Sequence, residues 1–146
     1  MLEVSISSMD SKHSLMNFYN YVDIIFCNEE ESQALTGLSD PYQSIEVLAK
    51  KVKVPVVKLG KEGSLVRVNG QTVKVGIYEA EKVVDSTGAG DSYAGTFLAG
   101  YLRGVPEDKC AKAAAFISSK VIQKMGARLS EEQWEIYKDE VEKIFA

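Results

Sequence analysis

The run Asp85-Ser86-Thr87-Gly88-Ala89-Gly90-Asp91 concentrates the residue types in this sequence that could do chemistry. Small side chains at Gly88, Ala89 and Gly90 let a ligand approach the backbone closely. The segment runs from the extended Val83-Val84 into an apolar helical pattern. That places these N–H groups at a helix N-terminus, where unpaired donors and the helix dipole favour an anion. Asp91 falls in the first helical turn. An acid there is a common way to begin a helix. Among amides arranged for phosphate it also fits a base that takes a hydroxyl proton, while the amides hold the charge developing on a transferred phosphoryl group. Two other phosphate motifs fail on spacing. A P-loop needs Lys and then Ser or Thr after its second glycine, and a dinucleotide fingerprint needs glycine where Tyr93 stands.

The composition narrows the setting. The chain has 146 residues, 45% hydrophobic and 26% charged, enough for a globular core. A net charge of -4 with scattered Lys and Arg gives no nucleic-acid footprint. His13 is the single histidine, which argues against a Ser-His-Asp triad or a multi-histidine metal site. Cys27 and Cys110 have no metal-like spacing and read as small buried groups in a reduced, intracellular setting. No apolar stretch is long enough for a membrane span and no signal peptide is visible, so the expected location is the cytoplasm.

The elements that must position the loop follow from pattern and punctuation. Val22–Cys27 is a short apolar run ending at Asn28, expected as a buried parallel strand. A short helix over 29–36 closes at Gly37, and Asp40-Pro41 restarts one with Ile45, Leu48, Ala49 and Val52 on one face. Pro55–Gly60 is the next strand. Ser64–Val68 and Thr72–Val75 flank Asn69-Gly70, a tight-hairpin signal. Three helices are expected at about 89–103, 107–125 and 130–145, restarted at Pro106 and Ser130 and stopped at Gly104 and Gly126. Trp134, Tyr137 and Phe145 recur at helical intervals and are expected in the core. This order gives an α/β layout with a mixed sheet.

Asp-x-Thr-Gly-Ala-Gly-Asp followed by Ser92-Tyr93-Ala94-Gly95 resembles the C-terminal signature of the ribokinase family, the PfkB-type carbohydrate and nucleoside kinases. Thr96 departs from the small residue usual there, a matter of helix packing. Asn28-Glu29-Glu30-Glu31 resembles the family's Asn-x-x-Glu motif. By that resemblance Asn28 and Glu31 would organise Mg2+ and the nucleotide phosphates through water, although an acidic helix start also explains the pattern. Gly60-Lys61-Glu62-Gly63 resembles the Gly-x-x-Gly turn bordering the nucleotide, with Lys58 where the family commonly has Thr. The segment 122–128 resembles a stretch whose Gly126, with Asp85 and Thr87, would help hold a monovalent cation such as K+. The small-residue helix around Ala111, Ala113, Ala114, Ala115, Ser118 and Ser119 would flank the adenine, or simply pack closely.

The resemblance implies a three-layer, Rossmann-like ribokinase fold with a mixed, mostly parallel sheet and helices. Residues 1–146 would form its C-terminal, nucleotide-binding and catalytic portion, with the N-terminal substrate-binding half absent. It further implies ATP-dependent phosphorylation of a hydroxyl on a sugar or nucleoside. Asp91 would be the general base, Gly88, Ala89 and Gly90 the anion hole, and Asn28, Glu31, Lys58, Gly60 and Gly63 would lie on the nucleotide side. Val121-Ile122-Gln123 leans toward adenosine-kinase-like members. Without the substrate half the chain is expected to be inactive and to self-associate. The competing reading is a non-catalytic nucleotide-binding or regulatory module derived from such a kinase. A nucleic-acid or membrane partner is not expected.

Overall fold

The computed structural model describes residues 22–78, 89–122 and 130–146, and the backbone of 3–4. The chain divides into two compact units, Met1–Lys74 and Val75–Ala146.

Among the described residues, the first unit is built on a five-stranded sheet in which spatial order follows chain order. Strands β1 (Glu3–Val4), β2 (Ile24–Asn28) and β3 (Val54–Lys58) are parallel; β4 (Ser64–Val68) runs antiparallel to β3, and β5 (Gln71–Val75) borders β4. The connection of β4 to β5 is the expected two-residue turn. Asn69 and Gly70 both have positive φ, 51° and 80°, as a type I′ turn demands. The sheet is thus mixed. Helices α1 (Glu29–Thr36) and α2 (Pro41–Ala49) link β2 to β3, as a parallel pair requires of its crossover.

The apolar run of β2 reads as continuous because both of its faces are buried. Ile25 and Cys27 join Leu35, Ile45, Leu48, Val52, Val57 and Leu65 in one cluster. Ile24 and Phe26, which alternation turns to the opposite face, are buried as well. Of the residues expected on one face of α2, Ile45 and Leu48 are fully buried and Ala49 is half-buried. Val52 lies past the helix end, where its N–H still donates to Leu48 O (2.9 Å). Asp40 caps α2 by accepting from Tyr42 N (2.9 Å), with Pro41 at the first helical position.

The second unit is helical: α3 (Ala89–Leu102), α4 (Glu107–Val121) and α5 (Glu131–Phe145). Gly104 (φ 81°) lies beyond α3, Pro106 precedes α4, and Ser130 caps α5 in a box with Gln133. The expected continuation of α4 to 125 and the stop at Gly126 lie outside the described residues. Ala113, Phe116, Ile117, Val121, Val141 and Phe145 form the core of this unit, with Tyr78, Tyr137 and Ile144 packed against it. A Cβ added at Gly100 would meet Phe145 Cε1 at 2.8 Å and Cys110 Sγ at 2.9 Å, so close packing of the helices requires glycine there.

Trp134 corrects an expectation. It was expected in the core with Tyr137 and Phe145, yet it is 40% exposed. The buried stripe of α5 is carried by Val141 and Phe145 toward the helix C-terminus. Trp134 sits in the acidic first turn, on an open groove with Ser130, Glu131, Glu132 and Glu135. Its spacing places it on the apolar stripe, but full burial along that stripe is confined to Val141 and Phe145.

Candidate functional site

In the first unit, the expected nucleotide-side residues gather where β2 and β3 end. Asn28 is the last residue of β2 and also the N-cap of α1. Its Oδ1 accepts from Glu31 N (2.8 Å), while Glu31 Oε1 accepts from Asn28 N (3.0 Å). The Asn-x-x-Glu pattern is therefore a reciprocal capping box that fixes both side chains against one backbone. Asn28 Nδ2 and Glu31 Oε2 make no hydrogen bond among the described residues. The structural reading of the motif, an acidic helix start, thus holds together with whatever the remaining polar atoms bind.

Lys58 ends β3, in parallel register with Asn28 on one side and antiparallel register with Ser64 on the other. Glu31 and Lys58 both act on Cys27, one residue before Asn28. Burial pushes the Cys27 thiol up to about 12, with the Glu31 carboxylate adding to the rise and the Lys58 ammonium opposing it. Cys27 Sγ donates to Val56 O (3.6 Å) beneath these charges. Cys27 is thus an apolar floor below the charged strand ends.

Gly60 and Gly63 form the turn that follows. Its 3-10 segment Gly60–Glu62 closes through Leu59 N donating to Gly63 O (2.7 Å) and Gly63 N to Gly60 O (3.1 Å). Both glycines hold positive φ, 62° and 102°. A Cβ on Gly60 would meet nothing within 4 Å, so glycine is required there by conformation and not by space.

In the second unit, Ala89, Gly90 and Asp91 open α3. Gly90 and Asp91 are exposed and Ala89 is half-buried. The first N–H groups of a helix lack intrahelical acceptors, so this end presents donors with a carboxylate beside them. Ser118 Oγ of α4 donates to Ala89 O (3.2 Å). Sequence reading assigned no role to this tie, and its sole signal is a hydroxyl in an alanine-rich helix face. Thr96, the departure from the family pattern, is buried and donates to Ser92 O (2.8 Å), which satisfies its hydroxyl within α3. Asp85, Thr87, Gly88 and Gly126 lie outside the described residues, as does His13.

Cys110 packs in the second unit as Cys27 does in the first. Its thiol is also pushed up to about 12, by burial and then by Glu107 and Asp108, and both cysteines are free. No helix among the described residues is long and apolar enough to cross a membrane. Among the same residues no group of His, Cys, Asp and Glu could enclose a metal ion.

Asn28 and Glu31 at the end of β2, in the first unit, and Asp91 at the start of α3, in the second, are among the positions that the family resemblance singles out. The chain belongs to the pfkB family of carbohydrate kinases, which it matches over residues 1–134. It is 28% identical over 133 residues to the nucleoside kinase of Methanocaldococcus jannaschii, covering 91% of this chain and 43% of that one. The crystal structure of adenosine kinase from Sinorhizobium meliloti superposes with a TM-score of 0.79 at 34% identity, over 88% of this chain and 40% of that chain. The Arabidopsis thaliana ribokinase complexed with ribose and ATP gives 0.72 at 28% identity, over 89% of this chain and 43% of that one. The fold is therefore that of the ribokinases, and the chain spans less than half the length of these relatives.

Proposed function

We propose that this chain supplies the catalytic base and the nucleotide side of a kinase that transfers the ATP γ-phosphoryl group to a hydroxyl of a sugar or nucleoside. Residues 1–146 form the C-terminal portion of that enzyme, and a substrate-binding half completes it. The observation that carries this reading is the exposed Asp91 in the first turn of α3, directly after Ala89 and Gly90. Asp91 takes the hydroxyl proton as the acceptor oxygen attacks, and the amides of Gly88, Ala89 and Gly90 hold the charge on the transferring group. The ATP bound to the similar Arabidopsis ribokinase supports the choice of donor.

Asn28, Glu31, Lys58, Gly60 and Gly63 serve the nucleotide. The donor chemistry fits Mg2+ held through water: the capping box engages Asn28 Oδ1 and Glu31 Oε1 and leaves one carboxylate oxygen, Glu31 Oε2, to hydrogen-bond a hydrated ion. Magnesium, when bound, neutralises phosphate charge. Lys58 adds a positive charge at the neighbouring strand end. Asp85, Thr87 and Gly126 hold a monovalent cation such as K+. We further propose a cytoplasmic setting, consistent with two free buried thiols. A nucleoside acceptor is favoured by Val121-Ile122-Gln123 ahead of Gly126-Ala127-Arg128 and by the likeness to adenosine kinase.

The test is a screen of nucleosides and sugars with ATP in the assembled enzyme, this chain together with its substrate half. Asp91→Asn is expected to lower turnover by about 10²–10⁴-fold with nucleotide affinity little changed. Near-normal turnover of that variant would refute the assignment. The chain by itself is expected to bind nucleotide weakly and to phosphorylate little. A second reading, a non-catalytic nucleotide-binding or regulatory module, is favoured by the chain's span of less than half of its relatives. Turnover by the assembled enzyme decides against it.

A further inference from the structure

We infer that Ser118 is a positioning residue for the anion hole: its hydroxyl, bonded to Ala89 O, ties the first turn of α3 to α4 and reinforces the peptide unit that carries Gly90 N–H. This rests on the phosphate-loop reading given above. The hydroxyl belongs to α4, far along the chain from the loop, and reaches Ala89 O at 3.2 Å. Most other helical hydroxyls behave differently, Ser44 apart, which reaches Leu38 O outside α2 at 3.0 Å. Ser32, Thr36, Thr96 and Ser119 each donate to a carbonyl three or four residues back on their own helix, at 2.6 to 2.9 Å, the ordinary habit of such side chains. Ser118 instead crosses to the first residue of α3.

That carbonyl has a particular consequence. The peptide unit is planar, so the direction of Ala89 C=O fixes the opposite direction of Gly90 N–H. Gly90 is exposed. Ala89 opens α3, so its carbonyl already belongs to the helix's own hydrogen-bond ladder. A second donor on Ala89 O reinforces that plane and draws charge through the amide, making Gly90 N–H a stronger donor. The effect is reciprocal. When an anion accepts from Gly90 N–H, Ala89 O becomes more negative and the Ser118 bond shortens from its 3.2 Å. Ser118 touches no reacting atom; it acts through the amide.

The experiment follows the Gly90 amide resonance of the full chain during titration with the magnesium complex of a non-hydrolysable ATP analogue, in wild type and in Ser118→Ala, Ser118→Thr and Ser118→Cys. The expected result is a large Gly90 shift in wild type, an apparent affinity about 3- to 10-fold weaker in Ser118→Ala, and recovery in Ser118→Thr. Ser118→Cys, a weaker donor of similar size, should fall between. The Ala89 carbonyl resonance should also move in Ser118→Ala without ligand, while resonances of Val141 and Phe145 stay fixed. A Gly90 response equal in wild type and Ser118→Ala overturns the inference and leaves the phosphate-loop reading intact. A Gly90 amide silent in wild type, at analogue concentrations that saturate the shifts of the Asn28 and Glu31 amides, overturns both. Should Ser118→Ala lose its fold, Ser118→Cys decides, and wild-type behaviour in that variant overturns the proposal.

Discussion

Two glycines show how far residue identity alone can mislead. Gly60 has open space around it but a φ of 62°, so Gly60→Ala should destabilise the chain by about 1 kcal/mol in urea unfolding. Gly95 lies exposed within α3 with nothing within 4 Å and no positive φ. Gly95→Ala should therefore stabilise by about 0.5–1 kcal/mol, because alanine is the better helix former. Equal effects of the two would contradict the backbone assignment. The thiols give a pH prediction. Cys27 and Cys110 rise from 9.0 to about 12 on folding, mainly through burial. Their contribution to stability is complete below about pH 9 and is lost as pH climbs toward 12. Melting temperature should fall over that window, and the Cys27→Ala/Cys110→Ala double variant should fall less steeply relative to its own neutral value. The burial of both cysteines was legible from their spacing and sequence context. The charge of Lys58 acting on Cys27 was not, because Lys58 meets it only through strand register.

At the scale of elements, Asn28 unites two functions that substitution can separate. Asn28→Ala removes the cap and should cost about 1 kcal/mol of stability by chemical denaturation. Asn28→Ser keeps a capping oxygen and should hold that stability, while removing Nδ2, the polar atom of Asn28 that the cap does not engage. A weaker MgADP affinity in the serine variant, at unchanged stability, would assign the amide to ligand binding; unchanged affinity would leave it a cap alone. Gly100→Ala should cost about 1–3 kcal/mol by overpacking against Phe145 and Cys110. Most element boundaries were legible because punctuation is local: Gly37, Asp40-Pro41, Asn69-Gly70, Pro106 and Ser130 each act within a turn. Trp134 was misread because periodicity reports which face a residue shares, not how far the neighbouring surface extends. The Ser118 tie was illegible for a related reason. Nothing in an alanine-rich helix says that one hydroxyl meets the first residue of another helix.

At the scale of the molecule, the family was readable from a few motifs in order, since phosphate chemistry constrains backbone and spacing tightly. Sheet order was legible only at β4–β5, where Asn69-Gly70 signals a hairpin; no such local signal names the neighbours of β1, β2 and β3. The 16.1 kDa chain is expected to self-associate when separated from a substrate half. Light scattering should report a mass above the monomer, and a monodisperse monomer would count against it. Leu102 and Ile136 are 71% and 69% exposed, and Leu102→Lys with Ile136→Lys should reduce association if those side chains contribute. The first unit also carries a lesson about its own making. Among the described residues, β2, β3, β4 and β5 each neighbour the strand that comes just before them in the chain. Pairs between chain neighbours close short loops, so these described strands can zip together in the order of their synthesis.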